Sequence, residues 1–156
     1  MINVLFVCLG NICRSPMAEA VFKKKVQEAG LSSKITVDSA GTGHWHIGNP
    51  PHEGTIGILT KNNIDAAGLQ ARQLKKKDLS EFEYIIAMDA ENLGNIRALA
   101  GHSNTGEISR LLDYDPSSPG EDVPDPYFTG NFEEVYEMVD CSCTNLLTHI
   151  REREGI

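Results

Sequence analysis

Apolar and polar positions along this chain fall into short solid runs separated by longer mixed stretches. Ile2–Val7 is apolar apart from Asn3 and leads straight into Cys8. A run of that kind predicts a strand buried on both faces, Ile2–Cys8, as parallel sheets require. Met17 to about Ala29 predicts a helix, stopped by Gly30. Lys34–Ser39 predicts a second strand and His52–Asn62 a second helix. Tyr84–Met88 predicts another buried strand, followed by a helix from Ala90 to about Ala100. Glu107–Leu111 predicts a shorter strand, and Phe132 to about Arg153 a long final helix. Between them, Asp113–Thr129 is rich in Pro, Gly, Ser and Asp and predicts a functional loop. Strand and helix alternate, so the expected fold is α/β: one three-layer domain over 1–156, with a small parallel four-stranded sheet flanked by helices on both faces. Ligands in such sheets bind at the carboxyl ends of strands, where the residues after Cys8 would lie.

Those residues carry the clearest chemistry. Cys8-Leu9-Gly10-Asn11-Ile12-Cys13-Arg14-Ser15-Pro16 places a thiol at a strand end, a loop with Gly and Asn, then an Arg at a helix start. The spacing lets the backbone wrap one tetrahedral anion, with successive N–H groups turned inward and a helix N-terminus adding positive potential. Gly10 is expected to take backbone angles closed to most residues, and Asn11 is among the few that tolerate the left-handed region. Arg14 offers a planar fork for two phosphate oxygens. The same field favours a thiolate at Cys8, to which Ser15 could donate a hydrogen bond. Pro16 suits a first helical turn, where its missing N–H costs nothing. Together these residues predict an oxyanion site with its nucleophile built in.

A leaving oxygen needs a proton. Val123-Pro124-Asp125-Pro126-Tyr127 holds an acid between two prolines that restrict the chain. Asp115, Glu121 and Asp122 nearby are expected to favour its protonated form by like-charge repulsion, as a general acid needs.

With these residues in view, the chain resembles the low-molecular-weight protein tyrosine phosphatases, of the bacterial type, essentially end to end. The shared stretches are CLGNICRSP at 8–16, MAEAVF at 17–22, DSAGT at 38–42, GNPP at 48–51, ARQ at 71–73, MD at 88–89 and DPY at 125–127. The resemblance implies that Cys8 attacks phosphorus and becomes a phosphocysteine. Arg14 and the amides from Leu9 to Ser15, through Gly10, Asn11, Ile12 and Cys13, would bind the phosphoryl oxygens. Ser15 would assist the departing thiolate, and Asp125 would protonate the phenol and then activate water. Asn11 would brace the loop with Ser39 behind it, and Trp45 and Tyr127 would wall the cleft around an aromatic ring. It implies no cofactor and no metal, because Arg14 and the amides handle the charge. Its implied partners are tyrosine-phosphorylated proteins, with phosphate and similar oxyanions as inhibitors. Relatives use the Cys8–Cys13 pair as a reversible disulfide that protects the nucleophile; a packing role for Cys13 stands beside that reading. Many relatives carry a His before ARQ that helps hold the loop Asn. Here the stretch is Ala66-Ala67-Gly68-Leu69-Gln70, which implies a thinner or differently made network around Asn11.

Composition narrows the partners. A chain of 156 residues fits one domain with a proper core. A net charge of −8 argues against nucleic acid and makes phosphate attraction a local matter for the loop. No stretch is long enough to cross a membrane, and the start lacks a basic leader, so no membrane association and a cytoplasmic location are expected. The four cysteines show no zinc-like pairing, and a catalytic thiolate suits a reducing compartment.

Blander roles compete at several positions. Cys8 could be an ordinary buried strand cysteine. Cys141 and Cys143 sit two apart on the final helix and are expected to be structural. His44, His46 and His52 lack ligand spacing and are expected to be solvated loop residues, and the short basic runs Lys23–Lys25 and Lys75–Lys77 are expected to be solvated surface. An arsenate reductase would need further cysteines on a mobile segment, and residues 60–100 hold none. Protein arginine phosphatases that resemble this chain carry Thr where it has Ile12, so Ile12 favours phosphotyrosine. A silent phosphate-binding or redox-sensing module would not need both Cys8 and Asp125.

Overall fold

Four parallel strands run in the order β2-β1-β3-β4. They are β1 (Ile2–Cys8), β2 (Ile35–Gly41), β3 (Tyr84–Ala87) and β4 (Glu107–Arg110). The helices are α1 (Arg14–Glu28), α2 (Glu53–Lys61), α3 (Asp78–Glu81), α4 (Ala90–Ala100), α5 (Pro126–Thr129) and α6 (Phe132–Glu154). The computed structural model describes residues 1–118 and 120–156; Pro119, within the segment read as a functional loop, lies outside the described residues.

The apolar run of β1 explains its central position. Val4, Phe6 and Cys8 face a core shared with α1 and α6, where Met17, Phe22, Val139 and Leu146 are buried. Leu5 and Val7 face the opposite layer, against Leu79, Ile96 and Ala100. Period-two alternation thus buries both faces of the strand, and the three expected layers follow. Cys8 pairs with Gly41 on β2, while Val7 pairs with Ala87 on β3. After β1 the chain crosses to β2 on one side and later to β3 on the other. The sheet therefore opens a crevice beyond the C-terminal ends of β1 and β3, where the strand order reverses.

Element boundaries moved where side chains or local turns decide them. Helix α1 starts at Arg14 rather than Met17, so Ser15 and Pro16 occupy its first turn. Gly30, in the left-handed region at φ 73°, follows its end. Strand β2 continues two residues past Ser39 to Gly41. His52 and Asn62 cap α2 rather than belong to it. Three short elements escaped prediction: α3, α5 and the 3₁₀ turn Leu111–Tyr114. Each is four residues long, too short to show a helical period. The stretch read as an unstructured functional loop is thus bounded by a 3₁₀ turn and closed by α5. Among the described residues no helix is long and apolar enough to cross a membrane.

Candidate active site

The chain leaves β1 at Cys8 and bends through Leu9–Cys13 into α1. Asn11 supplies the left-handed residue of this bend, at φ 57°. Gly10 does not take that conformation, contrary to expectation; a Cβ there would instead stand 3.1 Å from His46 Cδ2. Gly41 matters by proximity, since a Cβ on it would lie 2.8 Å from the Leu9 carbonyl oxygen. The end of β2 therefore backs directly onto the loop. Asn11 N–H donates to Cys8 Sγ at 3.3 Å. The N–H groups of Gly10, Ile12, Cys13, Arg14 and Ser15 donate to no protein acceptor among the described residues. Free donors converging at a helix start form a ready anion cradle.

The Asn11 side chain is fully engaged. Its Oδ1 accepts from the Arg72 backbone N–H at 2.9 Å, and its Nδ2 donates to Ser15 Oγ at 2.7 Å and Ser39 Oγ at 3.0 Å. Of the two expectations for a chain without the histidine, a thinner network or a differently made one, the geometry matches the second. Arg72 is held in turn by Asp38 at 3.0 Å and Asp78 at 2.9 Å. Ser15 Oγ lies 2.9 Å from Cys8 Sγ.

Arg14 is buried at 3% exposure, yet its guanidinium is fully oriented. Nη1 donates to Asp89 Oδ2 at 2.7 Å and to the Val123 carbonyl at 3.0 Å, while Nη2 lies 3.5 Å from Asp125 Oδ2. Burial alone would lower the Arg14 pKa, but the Cys8 sulfur and the Asp89 and Asp125 carboxylates outweigh it and raise the value. Asp89 is a residue that sequence reasoning passed over, quoted only within a motif. Its position at the end of a predicted strand and the start of a predicted helix was the available signal. Its other oxygen, Oδ1, accepts from Asn92 N–H at 2.7 Å and caps α4.

Asp125 caps α5 by accepting from Tyr127 N–H at 3.1 Å, and Pro126 follows it. Val123 N–H donates to the Met88 carbonyl at 2.9 Å, which ties this segment to the end of β3. Two of the three acidic neighbours expected to act on Asp125 have hydrogen-bond partners of their own. Asp115 binds Ser117, and Asp122 accepts from Ala90 N–H and faces Arg110 at 3.5 Å. Among the described residues, Arg14 is the basic side chain within 4 Å of Asp125.

Cys8, Ile12, Cys13, Arg14, Trp45, His46, Asp125, Tyr127 and Phe128 line one cleft of about 130 Å³. Trp45 is exposed and stacks on His44 at 5.5 Å between ring centroids. Tyr127 and Phe128 form an edge-to-face pair, 5.3 Å between ring centroids. Phe128 was missed because nothing in the sequence separates it from an ordinary surface residue. The three loop histidines are not idle. His46 stands at the mouth of the cleft. His52 Nδ1 accepts from Gly54 N–H at 3.0 Å, and its ring packs against Phe132 at 5.1 Å and Tyr127 at 6.0 Å. Cys13 lies beside Cys8 in the lining, and burial, then the Cys8 and Asp125 charges, push its thiol up to about 12. Ser39 is buried behind the loop, outside the cleft lining.

Comparison with known proteins agrees with this geometry. The family model for low molecular weight phosphotyrosine protein phosphatase matches residues 3–155. The low molecular weight protein-tyrosine-phosphatase YfkJ of Bacillus subtilis is 58% identical over 156 residues, covering 100% of both chains. Its crystal structure superposes with a TM-score of 0.95, covering 98% of this chain and 96% of that one. The low molecular weight protein-tyrosine-phosphatase PtpA of Staphylococcus epidermidis is 49% identical over 150 residues, or 96% of this chain and 94% of the relative. The Drosophila arginine phosphatase structure is more distant, at 34% identity and a TM-score of 0.84, with 97% and 98% covered. The chain belongs to the low molecular weight protein tyrosine phosphatase family and is a phosphatase enzyme.

Proposed function

We propose that residues 1–156 act as one catalytic unit that hydrolyses phosphotyrosine in proteins through a phosphocysteine on Cys8. The Cys8 thiolate attacks phosphorus, the S–P bond forms, and the P–O bond to the phenol breaks. Asp125 gives its proton to the departing oxygen. As a carboxylate it then takes a proton from water, which attacks phosphorus and breaks the S–P bond, releasing phosphate and the thiolate. Arg14 and the amides from Leu9 to Ser15 carry the charge of the transferring group. Ser15 donates to the sulfur as it leaves. Trp45 and Tyr127 flank the substrate ring, and phosphate and similar oxyanions compete for the cradle.

The single observation that carries this reading is convergence. A sulfur, a buried cation and a row of free N–H groups from residues 8–15 meet a carboxylate from far along the chain, Asp125, at one cleft. A cysteine nucleophile also favours a reducing, cytoplasmic setting, with Cys13 available to trap an oxidised Cys8 as a disulfide.

The test is hydrolysis of matched phosphotyrosine, phosphoserine and phosphoarginine peptides, with Cys8→Ser alongside. Turnover of phosphotyrosine, lost in the variant, is the expected result. Preference for phosphoarginine would keep the mechanism and overturn the substrate; Ile12, which lines the cleft, would then be the first position to change.

A further inference from the structure

We propose that Glu19 is a positioning residue for the nucleophile: as terminal proton acceptor it fixes the direction of the hydrogen-bond chain that runs through Ser39, Asn11 and Ser15 to Cys8. The proposal rests on the reading of Cys8 as the nucleophile.

The direction of each bond follows from donor counting. The Arg72 backbone N–H can only donate, so the Asn11 atom facing it at 2.9 Å must be the carbonyl oxygen. The Asn11 amide nitrogen therefore faces Ser15 at 2.7 Å and Ser39 at 3.0 Å, and both hydroxyls must accept from it. Each serine proton is then directed away from Asn11. That of Ser39 goes to Glu19 Oε1 at 2.6 Å. That of Ser15 has the Cys8 sulfur at 2.9 Å. A hydroxyl aimed at a sulfur favours the thiolate as attacking group and as leaving group.

Glu19 is the carboxyl end of this hydrogen-bond chain. It sits on the enclosed half of α1, 8% exposed, and Ser39 is its hydrogen-bond partner among the described residues. Burial raises its pKa; the Ser39 bond lowers it, Asp38 on β2 raises it, and Lys23 on its own helix and Arg72 beside β2 lower it. A buried carboxylate with one hydroxyl partner is costly to a fold. Its placement beside Ser39 gives that hydroxyl an acceptor that no apolar side chain could supply. Without it, the Ser39 proton could turn toward Asn11, which would then have to rotate its oxygen away from Arg72. Ser15 would lose the donor that turns its proton onto Cys8.

The test needs no substrate, so its failure is separable from failure of the phosphatase reading. The alkylation rate of Cys8 by iodoacetamide, located by mass spectrometry, is followed from pH 5 to pH 9 in the intact protein. In Glu19→Leu the rate at the acidic end should fall about threefold to tenfold, with the rate at pH 9 preserved. Glu19→Gln, which keeps an acceptor, should recover most of that loss, and Ser39→Ala should mimic Glu19→Leu. The double variant should lose no more than either single one, since one chain is broken once. A wild-type alkylation profile in Glu19→Leu or in Ser39→Ala would overturn the proposal. So would a Glu19→Gln profile as depressed as that of Glu19→Leu, or fully additive losses. If Glu19→Leu fails to fold, Ser39→Ala and Glu19→Gln decide the matter by the same criteria.

Discussion

Arg14 Nη1 and Asp89 Oδ2 meet at 2.7 Å, and this contact joins the first turn of α1 to the cap of α4. Arg14 opens α1 after the loop that follows β1, and Asp89 lies just past the end of β3, so both stand over the same edge of the sheet. One carboxylate performs two tasks, orienting the guanidinium with one oxygen and capping a helix with the other.

Asp89→Asn separates those tasks. The amide oxygen still accepts from Asn92, while the amide nitrogen can no longer accept from Arg14. A hydrogen bond to a charged group contributes about 1.5–3 kcal/mol, so kcat/KM should fall about tenfold to a hundredfold with little loss of stability. Asp89→Ala should add a loss of about 1 kcal/mol in unfolding free energy, from the missing cap. Steady-state kinetics and urea titration measure the two effects separately. Unaltered kinetics in Asp89→Asn would show that Val123 and the loop suffice to hold Arg14.

Much of this was legible in the sequence because it rests on short-range patterns. The solid apolar run of β1 announces a strand buried twice, and the structure puts one residue set against α1 and α6 and the other against α4. The Cys8–Arg14 spacing and the proline-flanked Asp125 announce their chemistry through local geometry. Other features depend on partners far along the chain. Asp89 faces Arg14 across 75 positions and Glu19 reaches Ser39 across 20, and no local pattern marks either. His52 looks like a loop residue until Phe132 and Tyr127 close on its ring. Asp115 and Asp122, read as neighbours of Asp125, likewise meet partners that no local pattern marks. Proximity in sequence made them neighbours, but Ser117, Ala90 and Arg110 take their carboxylates.

Asp125→Asn keeps the cap on α5, since an amide oxygen can still accept from Tyr127, but it cannot deliver a proton. Aryl phosphates with poor leaving groups should lose about 10²–10⁴-fold in kcat/KM, which reports the P–O cleavage step, the usual worth of general acid catalysis. Substrates whose phenols leave readily as anions should lose far less. The slope of log kcat/KM against leaving-group pKa is the measurement, and parallel losses across the series would remove Asp125 from the role of acid.

Cys13 is a neutral thiol at physiological pH, since burial, then the charges of Cys8 and Asp125, hold its pKa up to about 12. Peroxide should therefore take Cys8 first, to a sulfenic acid. Attack by Cys13 then forms the disulfide and releases water. Because the attacking thiolate is scarce, closure should speed up as pH rises from 7 to 9, by about tenfold per unit. Reductant should restore activity in the parent protein. Cys13→Ser should lose that recovery as Cys8 proceeds to irreversible oxidation. Equal recovery in both would leave Cys13 a packing residue.

Glu19 offers a test in stability rather than rate. Burial raises its pKa above the ordinary 4.5, so the folded state binds the proton more tightly than the unfolded chain does. Below that ordinary value both states are protonated and the residue costs nothing. As pH rises through the window between 4.5 and the raised folded value, the unfolded chain releases its proton first, and stability falls. Glu19→Gln carries no such titration and can still accept from Ser39. It should therefore unfold at higher denaturant than the parent protein at pH 7, with the gap closing as pH drops through the window. Urea midpoints measured from pH 4 to pH 8 give the answer. A constant gap would place the cost of Glu19 in packing. A gap that closes toward low pH would identify it as the cost of a buried charge, kept beside Ser39 at the expense of the fold.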